Sequence, residues 1–322
     1  AIKLRELQEP ARHPWWVFFQ TEGQMTTIKV ELKPVLREVP ADLETPVSAY
    51  LKLKAHGARF LLESVEMGEN LGRYSFIGLD ALKNIQVFAD KIVVEEAGVR
   101  GELPLQGRNP LEVLRTLMAP LALKHDGLPG LVGGAVGYIG YDFIRFLEKL
   151  PSTLPAPLGL PLCNFYLAST VVIFDHVKHK MLLVSVAAEN PQAKLDEVQA
   201  LLHRPLPAEY TTPRPAAVRA CFVHETPEED YKSAVRKAKE YINAGDIFQV
   251  VLSQRASGEI AVDPFQVYRA LRILNPSPYM FYLDFGGYQL VGSSPEIHAK
   301  LSGGEAILRP IAGTRRRGRT PA

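Results

Sequence analysis

From residue 226 onward, signals for helix starts alternate with pairs of strand-like runs, and this order limits the folds open to the chain. Thr226-Pro-Glu-Glu229 supplies an N-cap threonine, a proline at the first helical position and a capping-box glutamate. Behind them Tyr231, Ala234, Val235, Ala238 and Ile242 recur at helical spacing until Gly245. A β-rich run, Phe248 to Leu252, follows, and Asp263-Pro264 then opens a second helix with Phe265, Tyr268, Leu271 and Leu274 on one face, stopped by Asn275-Pro276. Tyr279 to Phe285 and Tyr288 to Val291 read as strands joined by a Gly286-Gly287 hairpin, and Ile297 to Leu301 pairs with Ala306 to Ile311 across Ser302-Gly-Gly-Glu305. Helices that alternate with strand pairs predict an α+β protein with antiparallel sheets, not a parallel doubly wound one.

The first half reads alike in class. Ser48 to Leu53 is helical in pattern, Phe60 to Ser64 and Tyr74 to Gly78 are strand-like, Asn109-Pro110 caps a further helix, and Thr170 to Asp175 pairs with Met181 to Val186. Two proline-rich stretches interrupt these elements: Pro151 to Pro161 is a loop, and Arg204 to Pro215 has the features of a linker. The expected division is therefore an extension over residues 1–24, an N-terminal region over 25–203, a linker over 204–220 and a second region over 221–322. Met25-Thr-Thr-Ile-Lys-Val30 reads like a natural start, and the stop after Thr320-Pro-Ala322 reads as a truncation.

Composition excludes several classes of partner. With 37 lysines and arginines against 35 acidic residues, no field strong enough to draw nucleic acid or membrane is present, and Thr314-Arg-Arg-Arg-Gly-Arg319 is one short basic run. No stretch of about eighteen apolar residues is available to span a membrane. Cys163 and Cys221 are far apart and suit a reducing cytoplasm as two buried thiols. The eight histidines form no ligand cluster, and His176 and His179 flank a turn. Leu131 to Gly140 is dense in glycine but matches neither a dinucleotide fingerprint nor a phosphate loop, so its glycines are read as allowing close sheet packing.

Seven segments then fall in one order: Phe60-Leu-Leu-Glu-Ser-Val65, Gly72-Arg-Tyr-Ser-Phe-Ile-Gly78, Gly133 to Asp142, Asp246 to Gln254, Asn275-Pro-Ser-Pro-Tyr-Met-Phe281, Gly292-Ser-Ser-Pro-Glu296 and Arg309-Pro-Ile-Ala-Gly-Thr314. Their sequence and order resemble the chorismate-utilising enzymes, and among these the component I chains of anthranilate synthase. The resemblance implies a pair of large, orthogonally packed antiparallel sheets flanked by helices, with the active site in a cleft and the C-terminal part of the fold missing. It also implies conversion of chorismate and ammonia to anthranilate and pyruvate in tryptophan biosynthesis. Ammonia adds at ring C2, the C4 hydroxyl leaves, and pyruvate is eliminated. A glutamine amidotransferase, component II, is the implied source of ammonia.

Two positions carry the choice of nucleophile. Relatives that activate water have a lysine where this chain has Gln249, and those that attack the substrate covalently have one where it has Ala312. A neutral amide and a methyl group leave ammonia. By position, Ala312, Gly313 and Thr314 match substrate contacts, and Glu296 matches a cleft glutamate beside the reacting ring. The implied cofactor is Mg²⁺, with its ligands beyond Ala322, so no residue is assigned to metal. The resemblance further implies a tryptophan site for feedback inhibition, built from Glu63 and Ser64 with Asn275, Pro276, Ser277, Pro278, Tyr279 and Met280. Glu63 suits an ammonium there, and Pro278, Tyr279 and Met280 suit an indole. The rival readings are aminodeoxychorismate synthase component I, which would have a lysine at 312, and a tryptophan-binding fragment without catalysis.

Overall fold

A computed structural model describes residues 34–65, 72–96, 98–118, 131–151, 158–186, 190–211, 221–302 and 304–310, with two short strands at 20–21 and 24–25. In chain order the elements are β1 (Gln20–Thr21), β2 (Gln24–Met25), β3 (Val35–Pro40), α1 (Pro46–Leu53), β4 (Ala58–Glu63), β5 (Tyr74–Val87), β6 (Lys91–Glu96), β7 (Val99–Pro104), α2 (Pro110–Met118), β8 (Gly134–Ile139), β9 (Cys163–Asp175), β10 (Lys180–Ser185) and α3 (Pro191–Leu202). They continue with α4 (Ala208–Thr211), β11 (Val223–His224), α5 (Glu228–Ala244), β12 (Ala256–Ser257), α6 (Pro264–Leu274), β13 (Tyr279–Asp284), β14 (Gln289–Ser294), β15 (Lys300–Ser302) and β16 (Glu305–Ile307). Short 3₁₀ turns cover Lys54–His56 and Tyr141–Phe146.

Ten strands form one antiparallel sheet flanked by helices, in the order β14-β13-β4-β5-β9-β10-β3, with β6 and β7 added beyond β5 and β8 added to β9. This is the α+β antiparallel architecture expected from the sequence. Of the two large sheets implied by the resemblance, one is present among the described residues, beside three two-stranded pairs. The two longest strands, β5 and β9, organise it. The first half of β5 pairs with β4 and its second half with β6, and the register shifts between Ala81 and Lys83. A bulge of that kind bends a strand and re-aims the side chains beyond it. β9 is buried at every position except the half-buried Phe165, so both of its faces are covered. That burial hides the period-2 signal and explains why only Thr170 to Asp175 was visible as a strand in the sequence.

Two hydrophobic clusters share these strands. Ile85, Val87, Cys163 and Leu167 join Leu114 and Leu117 of α2 in one; Phe60, Val171, Ile173, Val184 and Leu283 belong to the other. Lys83 lies on the same side of β5 as Ile85 and Val87, is almost fully buried, and reaches Glu96 at 3.2 Å. Burial pulls its pKa down to about 8, against the opposing pull of Glu96.

Local chemistry accounts for most helix starts. Thr45 and Ser48 form a reciprocal capping box ahead of Pro46 in α1. The side chain of Asn109 accepts from the Leu111 amide at 2.9 Å, that of Asn190 from Ala193 at 3.1 Å, and that of Asp263 from Phe265 at 2.8 Å. α5 departs from expectation. Pro227 takes the N-cap position with ψ 146°, which moves Thr226 one residue too far out to cap, and no side chain replaces it. Glu228, Glu229 and Asp230 in the first turn complement the helix dipole instead. Gly245 ends the helix at φ 81°, as its sequence indicated.

Four further expectations are corrected. Phe248 to Leu252 is irregular backbone, because among the described residues no neighbouring strand takes up its amides and carbonyls. The compact units, Ala1–Thr211 with Tyr268–Ala322 and Thr212–Val267, part at 211/212 inside the expected linker, but the second region does not stay whole: β13 pairs with β4, so residues 279–294 belong with the first half. Alternating apolar residues mark a strand but do not name its partner. Cys163 is buried, with its thiol pushed up to about 12 by that burial, whereas Cys221 is exposed. Within β8 it is Gly137 that serves approach between strands, not sheets: a Cβ there would lie 1.9 Å from the Asn164 carbonyl oxygen of β9.

Candidate functional site

β4 runs between β13 and β5, and its last residue, Glu63, pairs with Met280 on one side and Ser75 on the other. One step further, the Val65 amide donates to the Ser277 carbonyl at 3.1 Å, so the chain leaving β4 stays alongside the turn that enters β13. The turn is fixed from both ends. Asn275 N donates to Leu271 O at 2.8 Å as α6 closes, Ser277 Oγ donates to Ser294 O at 2.8 Å, and Ser293 Oγ donates to Asn275 O at 2.6 Å. Two segments that lie more than two hundred residues apart in sequence, 63–65 and 275–280, are thereby brought together. Ser277, Pro278 and Met280 are buried, Ser64 and Tyr279 half-buried, and Asn275 and Pro276 exposed.

The Glu63 side chain is 2% exposed, and both of its oxygens accept hydrogen bonds. Arg272 donates through Nε to Oε2 at 3.0 Å and through Nη2 to Oε1 at 3.2 Å, and the Tyr268 hydroxyl donates to Oε2. Tyr268 and Arg272 stand four residues apart on α6 and so share a face. Tyr268 is seated by edge contacts: its ring meets Tyr282 of β13 at 6.1 Å, and Tyr282 meets Tyr50 of α1 at 5.4 Å. Burial, then the negative charge of Glu63, pushes the Tyr268 phenol far above its ordinary value, so it acts as a fixed donor.

Ser75, opposite Glu63 on β5, bonds through Oγ to His176 Nε2 at 2.8 Å. Burial around the His176 ring lowers its pKa, with Glu63 and Asp175 pulling upward and Arg272 and His179 pushing further down. The next pair along is Arg73 with Asp175, forked at 3.3 and 2.9 Å. Burial raises the Asp175 carboxyl, but the Arg73 pair and the amides of Val177 and Lys178 outweigh it and hold it below the usual range.

Sequence reasoning placed Glu63, Ser64 and 275–280 in one site, and the structure sets them side by side. It did not single out Arg272, whose position four residues after Tyr268 on the apolar face of α6 was the available signal. Gln249 is exposed on irregular backbone of the Thr212–Val267 unit, and Glu296 is half-buried in the other unit, where its carbonyl accepts from Ser294 Oγ at 3.0 Å. Ala312, Gly313 and Thr314 lie outside the described residues. Among the described residues no group of three or more acidic, histidine or cysteine side chains is placed to hold a metal ion. No helix of the described residues is long and apolar enough to cross a membrane.

Against known proteins, a family model described as chorismate binding enzyme matches residues 57–322. Anthranilate synthase component 1 of Acetivibrio thermocellus is 38% identical over 301 residues, covering 89% of this chain and 60% of that relative. The protein of the same name from Thermus thermophilus is 44% identical over 292 residues, covering 89% and 61%. The crystal structure of anthranilate synthase component I from Streptococcus pneumoniae superposes with a TM-score of 0.60 at 28% identity, covering 83% of this chain and 59% of that one. The chain thus spans about 60% of the length of the curated relatives that it matches.

Proposed function

The chain belongs to the chorismate binding enzyme family, and on that premise we propose that it forms part of an anthranilate synthase component I, which converts chorismate and ammonia to anthranilate, pyruvate and water. The observation that carries this reading is the similarity to proteins of that name at 38–44% identity along 89% of the chain. Gln249 supports it by its chemistry: an amide can orient a nucleophile or a leaving hydroxyl but takes no proton from water, so ammonia, a nucleophile that needs no such base, is favoured. Glu296 is proposed to orient the departing C4 hydroxyl or the entering ammonia, and Ala312, Gly313 and Thr314 to line the substrate carboxylate. Magnesium and a glutaminase that delivers ammonia complete the proposal as cofactor and partner.

The second part of the proposal is a tryptophan site between Glu63-Ser64 and 275–280, through which the product of the pathway would inhibit the enzyme. Its support is the pairing of Glu63 with Met280 and of Val65 with Ser277, which sets a buried carboxylate beside a buried proline and methionine. A carboxylate recognises an ammonium, and the apolar pair offers a surface to a flat ring.

Product analysis tests the first part. This chain, completed to the full length of its relatives, should form anthranilate from chorismate, Mg²⁺ and an ammonium salt, seen by fluorescence after chromatography. Release of isochorismate or aminodeoxychorismate in place of anthranilate would overturn the assignment.

A further inference from the structure

The Glu63 carboxylate is the one group of the proposed effector site with a charge suited to an amino acid's ammonium, and in this structure it is already taken. Arg272 forks across both oxygens, and Tyr268 takes a further lone pair on Oε2. A carboxylate has about four acceptor positions, so three directed donors leave too little for a second cation to be held well. The two cations also compete on charge grounds, because a guanidinium and an ammonium on one carboxylate repel each other and each weakens the other's hold. The partners differ in freedom. Tyr268 is fully buried between Glu63 and Tyr282, whereas the Arg272 side chain is 34% exposed and has water to retreat into.

From this we infer that Arg272 is a resident competitor for the effector's ammonium: Tyr268 is the permanent partner of Glu63, and Arg272 is the one that an amino acid must displace. The inference rests on the tryptophan-site reading above and adds to it a residue that sets affinity without contributing to the bound complex. Exchange of one cation for another keeps the charge at Glu63 balanced, so the ammonium end adds little net affinity and the ring end must supply most of it. A site built this way answers only to effector concentrations high enough to displace Arg272. It also disfavours apolar compounds less strongly than it disfavours small amino acids, since only the amino acids pay for the displacement.

The test is calorimetric titration of the 322-residue chain with L-tryptophan and with indole-3-propionate, which keeps the ring and carboxylate but has no ammonium. Arg272→Gln should tighten L-tryptophan binding by roughly tenfold, because the competent state is no longer diluted by the paired one, and should leave indole-3-propionate unchanged. Arg272→Lys keeps the charge and gives up the fork, so its gain should fall between parent and Arg272→Gln, and it decides the matter if the glutamine variant loses its native near-ultraviolet circular dichroism. Equal or weaker tryptophan binding by both folded variants would overturn the competitor role. If Glu63→Gln then abolished tryptophan binding, the site itself would stand. Unaltered tryptophan binding when Glu63→Gln is added to the Arg272→Gln variant, or none by the parent chain, would instead sink the tryptophan-site reading and the inference with it.

Discussion

Tyr268 and Glu63, 205 residues apart in the sequence, are joined phenol to carboxylate with neither side chain in reach of solvent. The bond fastens α6 to the end of β4, and it is the fixed half of a pair whose exchangeable half is Arg272.

Removal of that hydroxyl should be felt across the fold. In Tyr268→Phe the ring still packs on Tyr282, but Glu63 loses one charge-assisted donor in a buried place, for which a loss of about 2 kcal/mol is expected. Urea unfolding followed by fluorescence measures it. An unchanged midpoint would mean that Arg272 alone satisfies the carboxylate.

Gly137 should tolerate nothing larger. A methyl there would stand 1.9 Å from a backbone oxygen of β9, which cannot swing aside as a side-chain end could. Gly137→Ala is expected to cost about 3 kcal/mol or more by forcing β8 off β9. Gly101→Ala is the control: its nearest neighbour is a carbonyl oxygen at 4.0 Å, and its stability should stay within about 0.5 kcal/mol of the parent. Similar thermal midpoints for the two variants would contradict the close approach of the strands.

Lys83 gives the fold a pH dependence of known sign. Its folded pKa of about 8 lies below the ordinary 10.5, so between these values the unfolded chain holds the extra proton and stability rises with pH. The contribution is complete above the unfolded value and is lost as pH falls through the folded one. Lys83→Met should therefore be more stable than the parent at pH 7, by about 2 kcal/mol, and the gap should narrow from pH 8 to pH 10. Glu96, 28% exposed, remains within reach of water when its partner is gone. A gap that stays constant over that range would show that the ammonium is not desolvated.

What could be read from the sequence was what depends on near neighbours. Gly286-Gly287 announces its hairpin because two residues settle the turn, and Asp263-Pro264 announces α6 because a cap and a fixed φ act within one turn. The partner of a strand is not local: nothing in Tyr279 to Asp284 says that it will lie against β4, and the expectation of one unbroken region over 221–322 failed for that reason. The run at 248–252 failed likewise, since β propensity makes no strand where no partner strand lies beside it among the described residues. At the site, ordered motifs were enough to put 63–64 beside 275–280. Arg272 stayed hidden because its role exists only once α6 is folded over Glu63, and an arginine in the last turn of a helix otherwise reads as a solvated charge facing the dipole.

β5 and β9 run unbroken through both hydrophobic clusters, and this has a consequence for how the protein comes apart. A cluster with strands of its own could open while its neighbour held, but here Phe76 and Ile85, one from each cluster, sit on one strand, as do Ile173 and Leu167 on the other. The two clusters are therefore one cooperative block, and amides along both strands should exchange with deuterium through the same opening rather than in two stages. Ser75 belongs to that block and holds the register of Glu63. Damage packed around α2, on the other side of the bulge, thus reaches the carboxylate through the strand itself.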